Sequence, residues 1–201
     1  MALSDAEEAL EEIHAQIRVC PLCALCHSRT KAVPGEGAVD AEVMFVGEAP
    51  GQDEDRQGRP FVGAAGRVLT EHLKKIGLKR SEVFITNIVK CRPPGNRDPQ
   101  PEEIAACRDY LLSQIAIINP KVICALGRFA AQSLIDPNLS ISREHGKARR
   151  LSGIAYMPVF HPAAALHQPR YIDGLESDFR QLRALLAEEL GKSKMKKSAD
   201  G

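Results

Sequence analysis

Four cysteines are the residues of this chain whose types and spacing most directly predict chemistry. Cys20 and Cys23 belong to a Cys-Pro-Leu-Cys segment near the start of the chain, and Cys91 and Cys107 lie near its middle with fifteen residues between them. Thiolates are the preferred ligands of iron–sulfur clusters and structural zinc, and both centres take four of them. The cysteines therefore predict a metal centre that ties the N-terminal segment to the interior of the fold.

The composition of the 201-residue chain favours metal binding over disulfide formation. It has no apolar stretch long enough to span a membrane, and its acidic N-terminus lacks an apolar leader, so we expect a cytoplasmic protein. Thiols stay reduced there. Of the two remaining cysteines, Cys26 is a spare thiol or an alternative ligand, and Cys124 belongs to an apolar core segment. With a net charge of +1, any binding to nucleic acid must use a local patch.

Apolar strands that alternate with helical patterns predict an α/β layered fold with a mostly parallel sheet. We expect one domain over residues 1–191 and a disordered Lys-rich tail over 192–201. Pro158 favours an edge or a bulge in the last strand. The predicted strands are 43–47, 83–89, 121–127 and 155–160. The predicted helices are 3–20, 65–76, one that begins at residue 101, 128–134 and 175–190.

Three segments follow the carboxyl ends of the predicted strands, where ligands bind in such folds. They are residues 47–66, 87–98 and 161–166. The first is rich in glycine, but its spacing matches neither Gly-x-Gly-x-x-Gly nor the Walker A pattern. A dinucleotide or nucleoside triphosphate site is therefore disfavoured.

Five motifs in one order make the chain resemble the family 4 uracil-DNA glycosylases, which carry a 4Fe–4S cluster. The likeness covers residues 20–169, and only the ordered set is specific. It implies a three-layer α/β/α fold with a central four-stranded sheet. The motifs are Cys-x-x-Cys, Gly-Glu-Ala-Pro-Gly, Gly-Arg-Pro-Phe-Val-Gly, Thr-Asn-Ile-Val-Lys-Cys-Arg-Pro-Pro and Phe-His-Pro-Ala.

The resemblance implies an activity and its setting. Uracil is released from DNA by hydrolysis of its N-glycosidic bond, leaving an abasic site for base excision repair. The implied protein is a monomer that acts on uracil-containing DNA in the cytoplasm, in association with the nucleoid. Because the sugar bond is inaccessible inside a duplex, the base must first leave the stack.

The resemblance also assigns roles to five positions. Phe61 matches the residue that stacks on the flipped base, and Asn87 matches the reader of the uracil edge. His161 matches the donor to uracil O2, which stabilises the leaving anion. Glu48 matches the residue near uracil C5 that excludes the methyl group of thymine, and Ala49 belongs to the same substrate-binding loop. Taken singly, each residue also suits a structural role, in the core, a turn or a solvated loop.

The same likeness makes Cys20, Cys23, Cys91 and Cys107 the ligands of a 4Fe–4S cluster. Structural zinc is the alternative, because four cysteines suit both metals. The helical spacing around Cys107 would also suit an ordinary core cysteine.

Ala49 departs from the wider superfamily, in which this position often carries an aspartate that orients the attacking water. Alanine cannot do so. Either Glu54, Asp55 or Asn96 places the water, or departure of the base is nearly complete before water adds.

Contacts with DNA should combine cations with a wedge that fills the gap left by the flipped base. The wedge is expected just after His161, where Ala165 occupies the position of the leucine found in relatives and Leu166 follows. The candidate cations are Lys90, Arg92, Arg97, Lys147, Arg149, Arg150 and Arg170.

Two other functions remain open at this point. One is a zinc-clamped nucleic-acid-binding module without catalysis, which would have no need for Glu48, Phe61, Asn87 and His161 together. The other is a related glycosylase with broader specificity for deaminated bases, a branch that typically lacks a glutamate at position 48. A third branch traps DNA covalently through a histidine, but residues 92–98 contain none.

Overall fold

The computed structural model describes residues 3–199, and the side chains of residues 4–192. One sheet has the strand order β1-β3-β2-β4-β6-β5. Its four central strands are parallel, whereas β1 and β5 pair antiparallel at the two edges. The strands are β1 Glu36–Gly37, β2 Val43–Gly47, β3 Phe84–Asn87, β4 Val122–Leu126, β5 Arg149–Leu151 and β6 Ile154–Val159.

Helices cover both faces of the sheet. The helices of the described chain are α1 Leu3–Val19, α2 Gln52–Gln57, α3 Ala64–Lys75, α4 Pro101–Ile118, α5 Arg128–Leu134, α6 Ile141–Glu144, α7 Pro162–His167 and α8 Arg170–Ala199. Met44 and Val46 of β2 pack against the side formed by α1, α4 and α5, and Val43 and Phe45 pack against α3 and α8. This burial on both faces explains why the parallel strands are continuous apolar runs. The predicted three-layer α/β/α fold is confirmed.

The predicted count of four strands is wrong, because the sheet has two further edge strands. β1 is only two residues long, and all three residues of β5 are exposed. Neither has a buried face, so neither produces the apolar alternation that identifies a strand in sequence. The charged side chains of Arg149 and Arg150 also discourage pairing of this edge with another chain.

Pro158 lies in β6, which has a neighbour on each side, yet the expectation of an edge position holds locally. The ladder between β5 and β6 pairs only Ile154, Ala155 and Tyr156 of β6. Pro158 lies beyond it, and its carbonyl accepts a hydrogen bond from the backbone N–H of Gly146 (2.7 Å). The missing N–H of proline therefore removes no ladder bond.

The last helix differs from the prediction at both ends. We expected a helix over 175–190 and a disordered tail from residue 192, but α8 begins at Arg170 and its backbone is helical to Ala199. Lysine, alanine and methionine are good helix formers, and Lys192 bonds Glu188 one turn earlier. Residues 200 and 201 of the predicted tail lie outside the described residues. No helix within residues 3–199 combines the length and apolar character needed to cross a membrane.

Candidate active site

A cavity of about 360 Å³ opens beyond the carboxyl ends of the parallel strands. Its walls come from the loops that follow β2, β3 and β6, as expected for this class of sheet. The five residues predicted to bind substrate all line it: Glu48, Ala49, Phe61, Asn87 and His161. Three separate stretches of sequence therefore meet at one place.

Phe61 forms one wall of the cavity and adopts an unusual backbone conformation. It lies in the loop between α2 and α3, its φ is +50°, and it is 7% exposed. A positive φ is uncommon for a bulky residue and needs support from its surroundings. Its ring lies beside that of His161, with 5.8 Å between centroids and 35° between planes.

Hydrogen bonds hold the backbone on both sides of this phenylalanine. Before it, the guanidinium of Arg80 donates to the carbonyl of Pro60. After it, Glu54 Oε1 accepts the backbone N–H groups of Val62 (2.8 Å) and Gly63 (2.9 Å). These contacts fix the strained loop and so the direction of the ring.

Gly47, the last residue of β2, packs against Asn87 and Phe61, two residues that line the cavity. A Cβ atom at this position would lie 2.4 Å from Asn87 Oδ1 and 2.7 Å from Phe61 Cζ. Both distances are far below van der Waals contact, so only glycine lets the amide and the ring approach this closely.

Asn87 ends β3 and is buried, with 1% exposure. Its backbone carbonyl accepts a hydrogen bond from Lys90 Nζ (2.9 Å). The same ammonium group also donates to Thr86 Oγ1 (2.6 Å) and Gln114 Oε1 (2.7 Å). The predicted contact of Lys90 with DNA phosphate is therefore wrong, because this side chain is 1% exposed and its ammonium is used internally.

The side-chain oxygen of Asn87 has no hydrogen-bond partner among the described residues. A buried, unpaired amide oxygen costs about 1–3 kcal/mol. A ligand N–H in the cavity would remove that cost. The position thus suits recognition of a ring that carries an N–H beside a carbonyl.

His161 caps the N-terminus of α7, and its protonation is defined by this contact. Its Nδ1 accepts the backbone N–H of Ala163 (3.1 Å), which places the proton of the neutral ring on Nε2. Burial lowers the pKa of His161 to about 4, against a weaker opposing effect of the Glu54 carboxylate. At neutral pH the residue is therefore a neutral hydrogen-bond donor through Nε2.

Glu48 directly follows β2 and is half-buried. Burial raises its pKa to about 7, the charge of Asp98 adds to this rise, and Arg128 opposes it. Ala49 lines the cavity and packs against the apolar core, so it contributes shape and no polar side-chain group.

The three polar residues considered for placing water occupy different environments. Glu54 and Asn96 line the cavity. Asn96 Oδ1 accepts from Arg92 Nε at 2.7 Å. Asp55 instead is buried on the other side of α2, where its Oδ1 accepts the N–H of Thr30 (2.9 Å). Asp55 is therefore not among the residues that meet the cavity.

The four predicted ligand cysteines lie near one another in the fold. Cys20, Cys91 and Cys107 are buried, Cys23 is half-buried, and all are free thiols. Electrostatic interactions link Cys23 with Cys20, Cys91 with both of these, and Cys107 with Cys91 and Cys23. Cys124 is fully buried in β4, which confirms its predicted place in the core.

The surroundings of the thiols fit a thiolate-bound centre. Arg29 Nη1 donates to Cys91 Sγ (3.1 Å) and to the carbonyl of Cys20 (2.9 Å). Burial raises the pKa of Cys91, and the guanidinium of Arg29 opposes that rise by favouring the thiolate. Within the part of the chain that is described, no three His, Cys, Asp or Glu side chains already have the spacing of ligands around one metal ion. The donor set is nonetheless all sulfur, as iron–sulfur clusters and Cys₄ zinc sites require.

Comparison with known proteins agrees with this fold and cavity. The model of the uracil DNA glycosylase superfamily matches residues 34–187. The type-4 uracil-DNA glycosylase of Sulfurisphaera tokodaii is 50% identical, over 89% of this chain and 85% of that protein. The enzymes of the same name from Archaeoglobus fulgidus and Thermotoga maritima are 48% and 44% identical, over 89% and 94% of this chain and 94% of each relative. The chain therefore belongs to the type-4 uracil-DNA glycosylases.

Sequence reasoning missed the residues that hold the site in place. Glu54 was considered only for water, and Lys90 only for DNA. Arg80 was not singled out, since a lone arginine before a strand carries no local signal. Each of the three binds a backbone group or a buried neutral acceptor, and motif spacing does not reveal such contacts.

Proposed function

We propose that the protein hydrolyses the N-glycosidic bond of deoxyuridine in DNA, releasing uracil and leaving an abasic site. Membership of the type-4 family supports this activity. The observation that carries it is the neutral His161, whose Nε2–H shares one cavity with an aromatic wall and an unpaired amide oxygen. A non-catalytic binding module would not need these three groups together.

In the bound state, the flipped base stacks on Phe61. Asn87 Oδ1 accepts the ring N3–H, and its amide nitrogen donates to O4, so that both polar atoms of the uracil edge are paired. Glu48 lies against C5, where the methyl group of thymine would collide. Pairing the buried amide oxygen favours uracil over bases without an N–H at this position.

The chemical step separates charge, and His161 stabilises the negative part. As the bond between C1′ and N1 breaks, both electrons leave with uracil, and Nε2–H donates to O2 where the anion develops. A pre-placed donor of this kind contributes about 10²–10³ in rate. Water then adds its oxygen to C1′ and releases a proton, which neutralises the uracil anion.

We infer that water adds after the base has largely departed. Ala49 offers no polar group, and Glu54 Oε1 is already used by two backbone N–H groups. Replacing Glu54 by Gln keeps an acceptor for the loop, and Asn96→Ala removes the other polar candidate on the cavity wall. Single-turnover losses below about 10-fold in both variants support late addition, and a larger loss in either contradicts it.

The thiol centre is proposed to hold a 4Fe–4S cluster on Cys20, Cys23, Cys91 and Cys107, with structural zinc as the alternative. When bound, such a centre supplies a cross-link between distant segments, and hydrolysis needs no electron from it. Metal analysis of the purified protein and its visible colour distinguish the two metals.

Leu166 is the proposed DNA wedge. It is 46% exposed on α7, whereas Ala165 packs against the core.

Of the candidate cations, Arg97, Arg149 and Arg150 already bind carboxylates, and Arg170 lies over the ring of Tyr171. We propose that these arginines exchange their protein partners for phosphates when DNA binds. We also propose that the single domain acts as a monomer in the cytoplasm, in association with the nucleoid.

The test is base release from uracil-containing DNA in EDTA, with a duplex containing a G·T mismatch as control. Alkali-sensitive uracil strands together with an intact mismatch strand are expected. Cleavage of both substrates would favour the branch with broader specificity. No release by protein that retains its metal would contradict catalysis and leave a binding module.

A further inference from the structure

A buried carboxylate binds the backbone directly before His161. Asp178 of α8 has 0% exposure, and its Oδ2 accepts the backbone N–H of Phe160 (3.0 Å). Its Oδ1 pairs with Nδ1 of His145 (2.7 Å). Phe160 is the residue directly before His161. The carboxylate therefore binds the main chain one residue from the proposed hydrogen-bond donor to uracil O2.

The ring of Phe160 is enclosed by the same elements. Its centroid is 4.0 Å from that of His145 and 4.9 Å from that of Tyr171. A Cβ atom on Gly174 of α8 would lie 2.7 Å from this ring. The end of β6 is therefore held against α8 by ring packing and by hydrogen bonds.

Asp178 lies in apolar surroundings, where burying a carboxylate costs desolvation free energy that packing alone would not require. Its neighbours on α8, Leu175, Phe179 and Leu182, belong to the apolar core. Burial raises the pKa of Asp178, and its two hydrogen bonds oppose that rise. An apolar residue would fill the space without the cost of desolvation, but it would leave the N–H of Phe160 unpaired.

We propose that Asp178, supported by His145, is a positioning residue for His161. It fixes the strand end from which the imidazole extends, and so the distance from Nε2 to the base. This inference rests on the proposed role of His161 in uracil release. Because catalytic donors lose effect steeply when misplaced, a small shift of this strand end lowers the rate of bond cleavage more than it lowers DNA affinity.

The test compares Asp178→Ala with Asp178→Asn in the metal-loaded, full-length protein. Alanine should lower the single-turnover rate by about 10- to 100-fold, as expected for a misplaced catalytic group. Affinity for DNA containing an abasic-site analogue should change by less than about 3-fold, since DNA contacts remain. Asparagine should recover most of the rate, because its oxygen can accept from Phe160 and its NH₂ group can donate to the other tautomer of His145.

Leu182→Ala is the matched control. It removes a buried side chain from the same helix, one turn beyond Asp178, and the side chain is 1% exposed. It should lower the thermal midpoint without lowering the single-turnover rate of the folded protein. An equal loss in Leu182→Ala, or a wild-type rate in Asp178→Ala, would overturn the proposal.

Two further measurements keep the test decisive. If Asp178→Ala does not fold, His145→Phe tests the proposal instead. Phenylalanine keeps the ring contact with Phe160 but removes the hydrogen bond to Asp178. A loss of about 3-fold or more supports the proposal, and an unchanged rate contradicts it. If the wild-type protein released no uracil, the His161 imidazole NMR signal would still decide, since Asp178→Asn should preserve its shift and His145→Phe should move it.

Discussion

The base cavity and the group of four thiols are held together in different ways. Hydrogen bonds within the chain fix the cavity: Glu54 and Arg80 hold the aromatic loop, and Lys90 holds the end of β3. The thiols come from the loop after α1, the loop after β3 and helix α4, where Arg29 bonds the sulfur of Cys91 and Tyr110 bonds that of Cys20. The fold alone thus prepares the cavity, whereas the arrangement of the four thiols would depend on the proposed metal centre.

The largest expected effect lies at the thiol centre. Cys107→Ser should remove the metal and lower the free energy of unfolding by about 4 kcal/mol or more, since loss of a metal site ranks among the most damaging single changes. For a chain of this size the thermal midpoint should fall by about 10 °C. Calorimetry and metal analysis measure both quantities.

Cys26→Ser is its control, because Cys26 is half-buried and outside the proposed ligand set. Metal content and midpoint should match the wild type. Loss of metal in Cys26→Ser with retention in Cys107→Ser would exchange the roles of these two cysteines.

The next effect separates chemistry from assembly in the cavity. His161→Ala should reduce the single-turnover rate by about 10²–10³ and leave metal content unchanged. Stability should fall by only about 1 kcal/mol, the cost of the lost helix cap. His167→Ala, on the exposed end of α7, should change neither rate nor stability. A loss of rate of less than tenfold in His161→Ala would contradict the assignment of His161 as the hydrogen-bond donor to uracil O2.

A smaller effect is expected where the cavity depends on remote support. Arg80→Met leaves the buried carbonyl of Pro60 without its donor and loosens the loop that carries Phe61. Kcat/KM should fall by about 10-fold, within the cost of one unpaired buried group. Lys79→Met, at a neighbouring exposed position, should retain full activity. A similar loss of activity there would contradict the explanation that Arg80 acts by holding the loop that carries Phe61.

The smallest effect is a pH dependence of stability at Glu48. Its folded pKa of about 7 exceeds its ordinary value of 4.5. The folded protein therefore binds a proton that the unfolded chain has released between these values, and wild-type stability falls as pH rises from 4.5 to 7. Glu48→Gln removes this loss, so the midpoint of the variant relative to wild type should rise over that range. A constant difference between pH 5 and pH 8 would contradict the raised pKa.

The sequence predicted the parts of the fold whose residues repeat a pattern. β2 and β4 are continuous buried runs and were found with nearly correct ends. β1 and β5 were missed because short edge strands are defined by pairing rather than by burial. The long extent of α8 was underestimated, since its last turns have no apolar stripe to mark them.

For the site, ordered motifs brought together five residues that do line one cavity. The supporting residues could not be found in this way. Asp178 binds the N–H of a residue 18 positions away, and Arg80 binds a carbonyl 20 positions away. Because every residue type offers a backbone carbonyl, and all but proline offer an N–H, such contacts leave no trace in the identity of the partner.

The missing side chain of Gly47 limits how this enzyme can evolve. A single methyl group there has no room between Asn87 and Phe61, so any larger residue must displace the amide, the ring or both. A mutational path to a new base preference that begins at this position therefore first displaces a residue that lines the cavity. Glu48 and Ala49 line the same cavity with side chains already in place, so substitutions there change its lining without inserting a group between the amide and the ring.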